Sequence, residues 1–503
     1  MSTKLSNDTF IPLKSNLLDK STSKYEALYG HIKEAIFNGR LKTNDKLPSS
    51  RYLSKLLGIS RNSILTAYEL LLSEGFIESR QGSGTFVADA VDLKPLLGSG
   101  TNIRFTSSSI HVSKIGQRVN ATDLLSPVKA VPLERKESVF LPAQPAMDCF
   151  PYKEWQSAVT KSLRNPSAFS EQPVMGVCLL REQIQEFLLI TRGVRCHADD
   201  IMITSGSQQA LSIVLNLLVS DGDNVLLEDI GFKGIDAVLS SLGAVQMTLT
   251  VDEQGICFDK LSEVCQQAKT LVLTPSRSFP LGHTLSLQRR LSILEWAYET
   301  QGWVIEDDYD SEFIFSGHSI ASLQGLDSGG RVIYTGTYSR TMFPGIRLGY
   351  IVLPPVLVPL FNKFKRIVDG GISAQQQVAM GLFMQSGAYS RHLRRMRKLY
   401  KKRKAILDPL MQQMLPMLSL IPSEGGMHSV YHFQGGQDDV AIAREANQYG
   451  LGVRPLSSYQ RNDVTKHASY SGLIIGYAGT TEEHIQKGVI KLRHIIDDFC
   501  KKS

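Results

Sequence analysis

Between residues 24 and 88, the spacing of apolar residues predicts three short helices followed by two strands. The first helix carries apolar residues at helical spacing, and these are Tyr25, Leu28, Ile32 and Ile36. The second helix begins after LPSS, with Ser49 or Ser50 as its N-cap, and the third begins after Ser60. The following FIESRQGSGTFVA has two strand-like runs around a Gly-Ser-Gly tip, which is typical of a hairpin. This order of elements predicts a winged helix-turn-helix.

From about residue 136 the pattern changes, and short apolar runs alternate with longer helical segments. The runs are apolar nearly throughout, as expected of strands buried on both faces, and they are IMIT, NVLLE, VQMTLTV, TLVLT, WVIED, VIYTGT and YIVLP. We therefore expect an α/β domain with a mostly parallel sheet. Residues 89–135 have the Ser- and Gly-rich composition of a linker, which leaves open whether SKIGQRV already packs on the next domain. We predict a head at 20–88, a linker at 89–135 and a body at 136–503.

Charge placement in the head favours DNA as its partner. The stretch from Lys46 through Tyr68 contains no carboxylate, although it contains four cationic residues, Lys46, Arg51, Lys55 and Arg61. The third helix opens with Arg61, Asn62 and Ser63, and helix-turn-helix proteins direct this turn at base edges. Arginine pairs with guanine and asparagine with adenine. The alternative is a small helical bundle whose polar residues only cap helices and contact solvent.

Four further residues of the head are candidates for phosphate contacts. Hydroxyl groups and backbone N–H groups bind phosphate oxygens, and the residues that offer them here are Ser49, Ser50, Gly82 and Ser83. A second basic run, RHLRRMRKLYKKRKAIL at 391–407, either contacts DNA phosphates or forms a solvated helix face. We favour the second interpretation because apolar residues recur at helical spacing beneath its charges.

Bulk composition is that of an ordinary globular protein, with 503 residues, 42% hydrophobic residues and a net charge of +7. The six cysteines include no C-x-x-C pair, which argues against a disulfide framework or a structural zinc site. No apolar run approaches the roughly 18 residues of a membrane span, and the N-terminus lacks an apolar signal region. We therefore expect a cytoplasmic protein that has no contact with a membrane.

Polar residues follow several of the predicted strands in the body. Gly206 and Ser207 follow IMIT and open a helix whose free N–H groups suit an anion. Asp307, Asp308 and Tyr309 follow WVIE at a strand end, and the hydroxyl- and arginine-rich TYSRTMFPGIR follows VIYTG. Because ligands of parallel sheets bind at the carboxyl ends of strands, these residues predict one basic pocket that faces an acid. Such a pocket suits a phosphate and a protonated ring nitrogen. In the alternative, Asp307 forms a structural ion pair with Arg340 or Arg277.

On these motifs the head resembles the winged helix-turn-helix of the GntR family of bacterial regulators. The body resembles the aminotransferase fold, which is fold type I among pyridoxal-phosphate enzymes. The two together resemble the MocR subfamily of transcriptional regulators over residues 24–498. The resemblance implies a smaller C-terminal α+β subdomain in the body. It also implies operator DNA as partner, with contacts from Arg51, Arg61 and the wing glycines, and a homodimer in which one chain's head lies against the other's body.

The resemblance also implies roles in a pyridoxal-phosphate site. Five residues would hold the cofactor phosphate, namely Ser207, Gln208, Thr337, Ser339 and Arg347. Phe232 would stack on the ring, Asp307 would pair with the ring nitrogen, and Tyr309 would bond the ring hydroxyl. The lysine that forms the Schiff base would stand at position 340, where this chain has arginine.

Arginine cannot replace that lysine. The pKa of a guanidinium is above about 12, so the group stays charged and is not nucleophilic. Two other segments depart from the family pattern. The loop TPSRSFPLG brings Arg277, Ser278 and Leu281, and LIIGYAG is apolar where transaminases place an arginine for the substrate carboxylate. We therefore expect a pocket that binds without turnover. Its ligand would be pyridoxal phosphate held non-covalently, or another anionic metabolite.

The leading hypothesis is thus a DNA-binding regulator whose body senses a small ligand. One alternative is a pyridoxal-phosphate aminotransferase that uses another lysine, such as Lys233. The other is a constitutive DNA-binding protein whose degenerate body serves as a dimer scaffold. Neither the operator nor the direction of regulation can be derived from the sequence.

Overall fold

The computed structural model describes residues 23–89, 112–122, 139–315, 321–461 and 470–502. The chain divides into two compact units, with the boundary after His111, which we call the head and the body. Residues 20–22 of the predicted head and most of the predicted linker lie outside the described residues. Each unit has hydrophobic core residues of its own.

Within residues 23–89, the head has three helices and a two-stranded antiparallel sheet. Its elements are α1 (Lys24–Phe37), α2 (Ser50–Leu57), α3 (Arg61–Ser73), β1 (Ile77–Arg80) and β2 (Gly84–Val87). The apolar stripes predicted for the helices form one buried core, in which Leu28, Ile64 and Leu71 are fully buried. Gly58 ends α2 at a φ of 70°, a left-handed conformation that glycine adopts without strain. These elements confirm the predicted winged helix-turn-helix.

In the described part of the predicted linker, residues 114–121 form a helix. Helix α4 (Lys114–Ala121) is capped by Ser113, whose hydroxyl accepts a hydrogen bond from the Gly116 amide. The Arg118 guanidinium donates two hydrogen bonds to the Asp221 carboxylate, at 2.8 and 2.9 Å. A third hydrogen bond reaches the Leu242 carbonyl at 2.9 Å. SKIGQRV therefore packs on the body.

The body is built on a seven-stranded sheet in the order β3-β11-β10-β9-β8-β4-β5. These strands are β3 (Ile201–Thr204), β4 (Asn224–Glu228), β5 (Val245–Leu249), β8 (Thr270–Leu273), β9 (Trp303–Asp308), β10 (Val332–Thr337) and β11 (Gly349–Val352). A separate small hairpin consists of β6 (Val251–Asp252) and β7 (Gly255–Ile256). Only β11 is antiparallel to its neighbours, so the prediction of a mostly parallel sheet is confirmed.

Helices cover this sheet, and short connections join them to the strands. They are α5 (Tyr152–Leu163), α6 (Cys178–Arg192), α7 (Ser207–Leu218), α8 (Lys233–Leu242), α9 (Glu263–Gln266), α10 (Leu287–Thr300), α11 (Leu323–Leu326), α12 (Val358–Val368) and α13 (Ala374–Gln385). Four strands, β3, β8, β10 and β11, are buried at every residue. This burial on both faces explains why their sequences are apolar runs rather than alternating patterns.

The C-terminal part of the body forms the smaller α+β subdomain. Its four-stranded sheet, in the order β12-β13-β15-β14, is antiparallel throughout. The strands are β12 (Leu418–Ile421), β13 (His428–Phe433), β14 (Arg454–Pro455) and β15 (Gly472–Gly476), and the helices are α14 (Ala388–Met414), α15 (Asp439–Gln448) and α16 (Glu482–Lys502). Among the described residues, we find no helix with the length and apolar character needed to cross a membrane.

The basic run at 391–407 lies in α14. Leu393, Met396 and Tyr400 are buried beneath it, whereas most of its arginine and lysine side chains are exposed. The run is therefore the polar face of an amphipathic helix, as the apolar spacing indicates.

Candidate functional site

In the head, the starts of α2 and α3 are fixed by hydroxyl caps. Ser49 is the N-cap of α2 and accepts a hydrogen bond from the Tyr52 amide at 3.3 Å, and Ser50 is the first helical residue. The hydroxyl of Ser60 accepts from the Ser63 amide at 3.1 Å. The Tyr68 hydroxyl on α3 donates to the Pro48 carbonyl at 2.7 Å and thereby holds the segment before α2 against α3. These contacts orient the turn that is predicted to meet DNA.

The predicted base-reading residues are free to meet a partner. Arg51, Arg61 and Asn62 are exposed, and the Arg61 Nε donates to the Ser50 hydroxyl at 3.2 Å. Gly82 and Ser83 are exposed at the tip of the hairpin. The Leu47 amide donates to the Thr85 carbonyl of β2 at 2.8 Å, which ties the hairpin to the segment that leads into α2. Ser63 is half-buried, and its hydroxyl is hydrogen-bonded to that of Ser60 at 2.8 Å.

In the body, a cavity of about 290 Å³ opens at the carboxyl ends of the strands, and we call it the strand-end cavity. Its walls come from segments that are far apart in the chain, at 141–144, 207, 232, 274–279, 307–309, 337–340 and 454–459. Six of the nine residues predicted for a cofactor line it, namely Ser207, Phe232, Asp307, Tyr309, Thr337 and Arg340. Parallel strands place their carboxyl ends at one edge, which is why residues distant in sequence converge here.

Asp307 is the only carboxylate among the described residues that line this cavity, and it is 5% exposed. One of its oxygens accepts a hydrogen bond from the Thr335 hydroxyl at 2.9 Å. Burial raises the pKa of Asp307 to about 6, while Thr335 and the Arg340 charge oppose that shift. Arg277 does not pair with Asp307 but with Asp310, at 3.0 Å. Asp307 is thus hydrogen-bonded to a neutral hydroxyl.

Arg340 lies in the loop after β10 and is half-buried. Its Nη1 donates to the Ala143 carbonyl at 3.0 Å, across the cavity wall formed by residues 141–144. Burial lowers the pKa of Arg340, and the charge of Asp310 opposes that shift. The guanidinium therefore contributes positive charge and hydrogen-bond donors to the cavity, but no nucleophile.

Comparison with known proteins places both units in one family. The profile of the bacterial regulatory proteins of the gntR family matches residues 24–87, and that of the class I and II aminotransferases matches residues 145–492. A protein of Rhizobium meliloti, "Probable rhizopine catabolism regulatory protein MocR", is 32% identical over 485 residues, which cover 94% of each chain. The chain belongs to the MocR-like transcriptional regulators. It is a DNA-binding regulator with an aminotransferase-like body.

A second relative of this regulator is the "HTH-type pyridoxine biosynthesis transcriptional regulator PdxR" of Corynebacterium glutamicum. It is 27% identical over 471 residues, which cover 92% of this chain and 94% of the relative. Among solved structures, LysN, the alpha-aminoadipate aminotransferase of Thermus thermophilus, superposes with a TM-score of 0.69 at 25% identity. The match covers 78% of this regulator and 98% of LysN. It confirms the fold type I body.

Three residues predicted for the cofactor phosphate do not line the strand-end cavity. The Gln208 side-chain amide donates to the Gly234 carbonyl at 3.0 Å. Arg347 is exposed, and its guanidinium donates to the Ser205 carbonyl at 2.8 Å. The Ser339 amide donates to the Thr337 hydroxyl at 3.2 Å. In the structure all three brace the loops around Ser207 and Thr337, and their contact with a phosphate stays a prediction.

None of the described residues that line the strand-end cavity is a lysine. The amine of Lys233, which the sequence suggested as a substitute nucleophile, donates to the Gln460 carbonyl at 2.6 Å and lies 3.3 Å from Asp236. It faces a different cavity, which it shares with Arg461. An aminotransferase that relies on Lys233 is thus not supported by the position of its amine.

One cationic residue of this cavity carries no signal in the sequence. Arg454 of β14 lines the cavity together with Tyr459, and neither was predicted. The segment LIIGYAG lacks the arginine that transaminases place there, and Arg454 lies on the neighbouring strand, directly opposite Ile474. The motif RPLSSY contains no periodicity or spacing that marks Arg454 as a site residue. Only the pairing of β14 with β15 brings it to the cavity.

Proposed function

We propose that this regulator binds pyridoxal phosphate, or another phosphorylated or anionic metabolite, non-covalently in the strand-end cavity and uses its occupancy to control DNA binding. The observation that carries this proposal is the composition of the cavity. It combines the buried acid Asp307, the helix N-terminal Ser207 and the cation Arg340 without a lysine among the described lining residues. Control requires that the ligand differ in affinity between two arrangements of the protein.

The side chains fit the cofactor apart from its aldehyde. Asp307 uses one oxygen on Thr335 and lines the cavity, and its raised pKa suits an acid that gains a cationic partner such as a protonated ring nitrogen. Ser207 offers a hydroxyl and the N-terminus of the 12-residue helix α7 to a phosphate. Phe232 adds an aromatic wall. When bound, the cofactor would supply an electron-withdrawing ring and an aldehyde, and the lining has no amine to attach the aldehyde.

In this proposal, Arg340 is the reason that the body catalyses no reaction on its ligand. Its sequence position after Ser339 is that of the family's lysine, and a guanidinium neither attacks an aldehyde nor moves protons near neutral pH. The names of the relatives point to related chemistry. PdxR is named for pyridoxine biosynthesis, and LysN was solved with N-(5'-phosphopyridoxyl)-L-leucine. These names support a ligand of the pyridoxal-phosphate class.

The proposal extends to assembly. A head-to-tail homodimer would place two heads on paired half-sites of operator DNA, since a two-fold symmetric protein matches a palindromic operator. Arg51, Arg61 and Asn62 would read bases, and Ser49, Ser50, Ser63, Gly82 and Ser83 would contact the backbone or adjacent bases. We also propose a cytoplasmic location, because the operator DNA that this regulator would bind is in the cytoplasm.

The test is to titrate the full-length protein and its Arg340→Lys variant with pyridoxal phosphate, followed by borohydride reduction and peptide mapping. We expect calorimetric binding to both proteins, and a reduced covalent adduct only on the lysine of the variant. A specific adduct on a lysine of the unmodified chain would contradict the proposal and restore the enzyme alternative. Absence of binding to either protein would favour a body that serves only as a scaffold.

A further inference from the structure

A second cavity in the body, of about 380 Å³, is lined by residues of helix α8 and of β5, the strand at the edge of the sheet. We call it the edge cavity, and its described lining residues are Lys233, Asp236, Ser240, Ala244, Gln246, Thr248 and Arg461. None of them also lines the strand-end cavity, so the two cavities are separate. The role proposed above for the strand-end cavity does not involve these side chains.

Local geometry explains why these side chains meet. Lys233, Asp236 and Ser240 are spaced by three and four residues, which places them on one face of α8. Gln246 and Thr248 are two residues apart on β5 and therefore point to the same face of the sheet. Helix α8 contacts β5, so the polar face of the helix and the polar face of the strand enclose one space.

Arg461 is the most buried cation of the edge cavity, with a side chain that is 4% exposed. Its Nε donates to the Asp236 carboxylate at 2.6 Å, and its Nη atoms donate to the Glu228 and Phe232 carbonyls at 2.7 and 3.1 Å. Gly231 leaves room for this guanidinium, because a Cβ atom at that position would clash with it. The charge of Asp236 is thus matched by Arg461.

Lys233 supplies the positive charge that remains. Its amine donates to the Gln460 carbonyl at 2.6 Å and lies 3.3 Å from Asp236, which already pairs with Arg461. The Lys233 side chain is 24% exposed, so a ligand can reach it from solvent. Burial lowers the pKa of the amine, and Asp236 offsets this shift only in part. With two cations and one carboxylate in the described lining, an anion beside Lys233 is favoured.

Neutral polar groups surround the same space. The Thr248 hydroxyl makes no hydrogen bond to any residue in the described part of the chain. The Ser240 hydroxyl accepts only a long hydrogen bond, at 3.4 Å, from the Gln246 side-chain amide. Among the described lining residues, Ala244 alone is apolar and none is aromatic. A flat aromatic ligand therefore has no ring to stack on here, whereas a ligand with hydroxyl groups can bond these side chains.

We propose that the edge cavity is a second ligand site, which binds a small hydroxylated phosphate monoester. The Lys233 ammonium pairs with the phosphate, and the Thr248 and Ser240 hydroxyls donate to its terminal oxygens. These three donors match the three terminal oxygens of a phosphate better than the two oxygens of a carboxylate. The Gln246 amide meets the hydroxyl groups of the ester. This site does not depend on the ligand of the strand-end cavity, because the lining residues differ.

The test titrates the full-length protein with glycerol 3-phosphate by isothermal titration calorimetry, with and without saturating pyridoxamine 5'-phosphate. We expect Lys233→Gln to weaken glycerol 3-phosphate binding by about tenfold to one-hundredfold, because it removes a charge-assisted contact. Thr248→Val keeps the shape of the side chain and loses the hydroxyl, so it should weaken binding by about threefold to tenfold. Thr248→Ser restores the hydroxyl and should recover most of the affinity. Pyridoxamine 5'-phosphate should bind each variant within about twofold of the unmodified protein.

Lys269→Gln is the matched control for the lysine. The Lys269 amine also donates to a backbone carbonyl, that of Thr300 at 2.7 Å, but Lys269 does not line the edge cavity. This variant should bind glycerol 3-phosphate as the unmodified protein does. Glycerol should not bind, because it carries no anion. Glycerate and inorganic phosphate should each bind more weakly than glycerol 3-phosphate, since the first lacks the phosphate and the second lacks the hydroxyl groups. Thermal melts establish that each variant is folded.

The outcomes separate this inference from the proposed function. Selective loss of glycerol 3-phosphate binding in Lys233→Gln and Thr248→Val establishes the second site. If glycerol 3-phosphate does not bind the unmodified protein, or binds Lys233→Gln equally well, the inference is wrong. Binding that pyridoxamine 5'-phosphate displaces and Lys233→Gln leaves unchanged belongs to the strand-end cavity, and it also contradicts the inference. Equal or tighter binding of glycerate or inorganic phosphate contradicts the ligand class. Failure of pyridoxamine 5'-phosphate to bind counts against the proposed function alone.

Discussion

The head and the strand-end cavity are built in contrasting ways. The DNA-contact residues predicted in the head all lie between Ser49 and Ser83, at helix starts and a hairpin tip. The cavity lining is drawn from segments between residues 141 and 459. The predicted DNA-contact surface of the head is thus set by local signals such as caps and turns. The cavity, in contrast, forms because the sheet topology brings distant strand ends together.

The contrast extends to electrostatics. Arg51, Arg61 and Asn62 are exposed, so water solvates them until DNA arrives. Asp307 is buried in the cavity wall, and Arg454 is half-buried there with no hydrogen-bond or ion-pair partner among the described residues. Exposed charges mainly affect association with a partner. Buried charges lower the free energy of unfolding, and a ligand of opposite charge can offset that loss. The body should therefore respond to ligand and pH in ways that the head does not.

The largest expected effect comes from truncating a core side chain of the head, which should change the unfolding of the head and not that of the body. Leu71→Ala removes a fully buried side chain of the head and should destabilise the head by about 2–5 kcal/mol. Differential scanning calorimetry of the full chain should show a lower transition for the head and an unchanged one for the body. The matched control is Leu72→Ala, because Leu72 is 38% exposed. Equal shifts of both transitions would show that the units do not unfold independently.

The next effect concerns DNA affinity alone. Arg61→Ala should weaken binding to an operator fragment, obtained by in vitro selection with the unmodified protein, by about 1–3 kcal/mol. Binding of pyridoxamine 5'-phosphate to the body should not change. Arg40→Ala is the control, since Arg40 is also in the head but lies 3.5 Å from Glu34 as an exposed ion pair. A similar loss in both variants would indicate a general charge effect rather than a contact by the third helix.

A smaller effect, with a defined pH dependence, is expected at Asp307. Its folded pKa of about 6 exceeds the ordinary value of 3.8, so the unfolded chain loses this proton first as the pH rises. The penalty on folding grows between about pH 4 and pH 6 and reaches about 3 kcal/mol above that range. Asp307→Asn stays neutral and avoids the penalty. In the absence of ligand, it should melt higher than the unmodified protein at pH 8.

The melting curves of these two proteins should converge as the pH falls toward 4, which provides an internal control. The same variant should bind pyridoxamine 5'-phosphate more weakly at pH 8, because the amide cannot pair with a protonated ring nitrogen. A variant that is less stable at pH 8 would contradict the assignment of a destabilising carboxylate. Thermal melts between pH 4 and pH 8 make this measurement.

The smallest effect concerns the connection between the units. Arg118→Gln removes the two hydrogen bonds to Asp221 and the one to the Leu242 carbonyl, which together hold α4 on the body. Because this ion pair is exposed, we expect no measurable change in the melting temperature of the body. Hydrogen exchange of residues 114–121 should become faster, and Asp221→Asn should reproduce the change. Asn120→Ala, on the same helix, should not. Unchanged exchange in Arg118→Gln would mean that other contacts hold α4.

Local patterns anticipated much of this architecture. The apolar runs correctly located the strands from IMIT to YIVLP, since strands buried on both faces admit few polar residues. Ser207, Asp307 and Thr337 were predicted together because each lies at or just after the carboxyl end of a strand of the same sheet. Arg347 and Gln208 were predicted beside them, yet their side chains bond the Ser205 and Gly234 carbonyls. Position after a strand does not specify which way a side chain points.

The sequence by itself determined the two-part organisation of this regulator, the winged helix-turn-helix and the strands of the body. These features depend on caps, turns and hydrophobic periodicity, which act over a few residues. Tertiary structure alone decided that Arg277 pairs with Asp310, that the Lys233 amine faces another cavity, and that Arg454 lines the strand-end cavity. The reason is physical: a charged side chain takes its partner from whatever the fold brings near, and contacts between distant segments leave no local pattern.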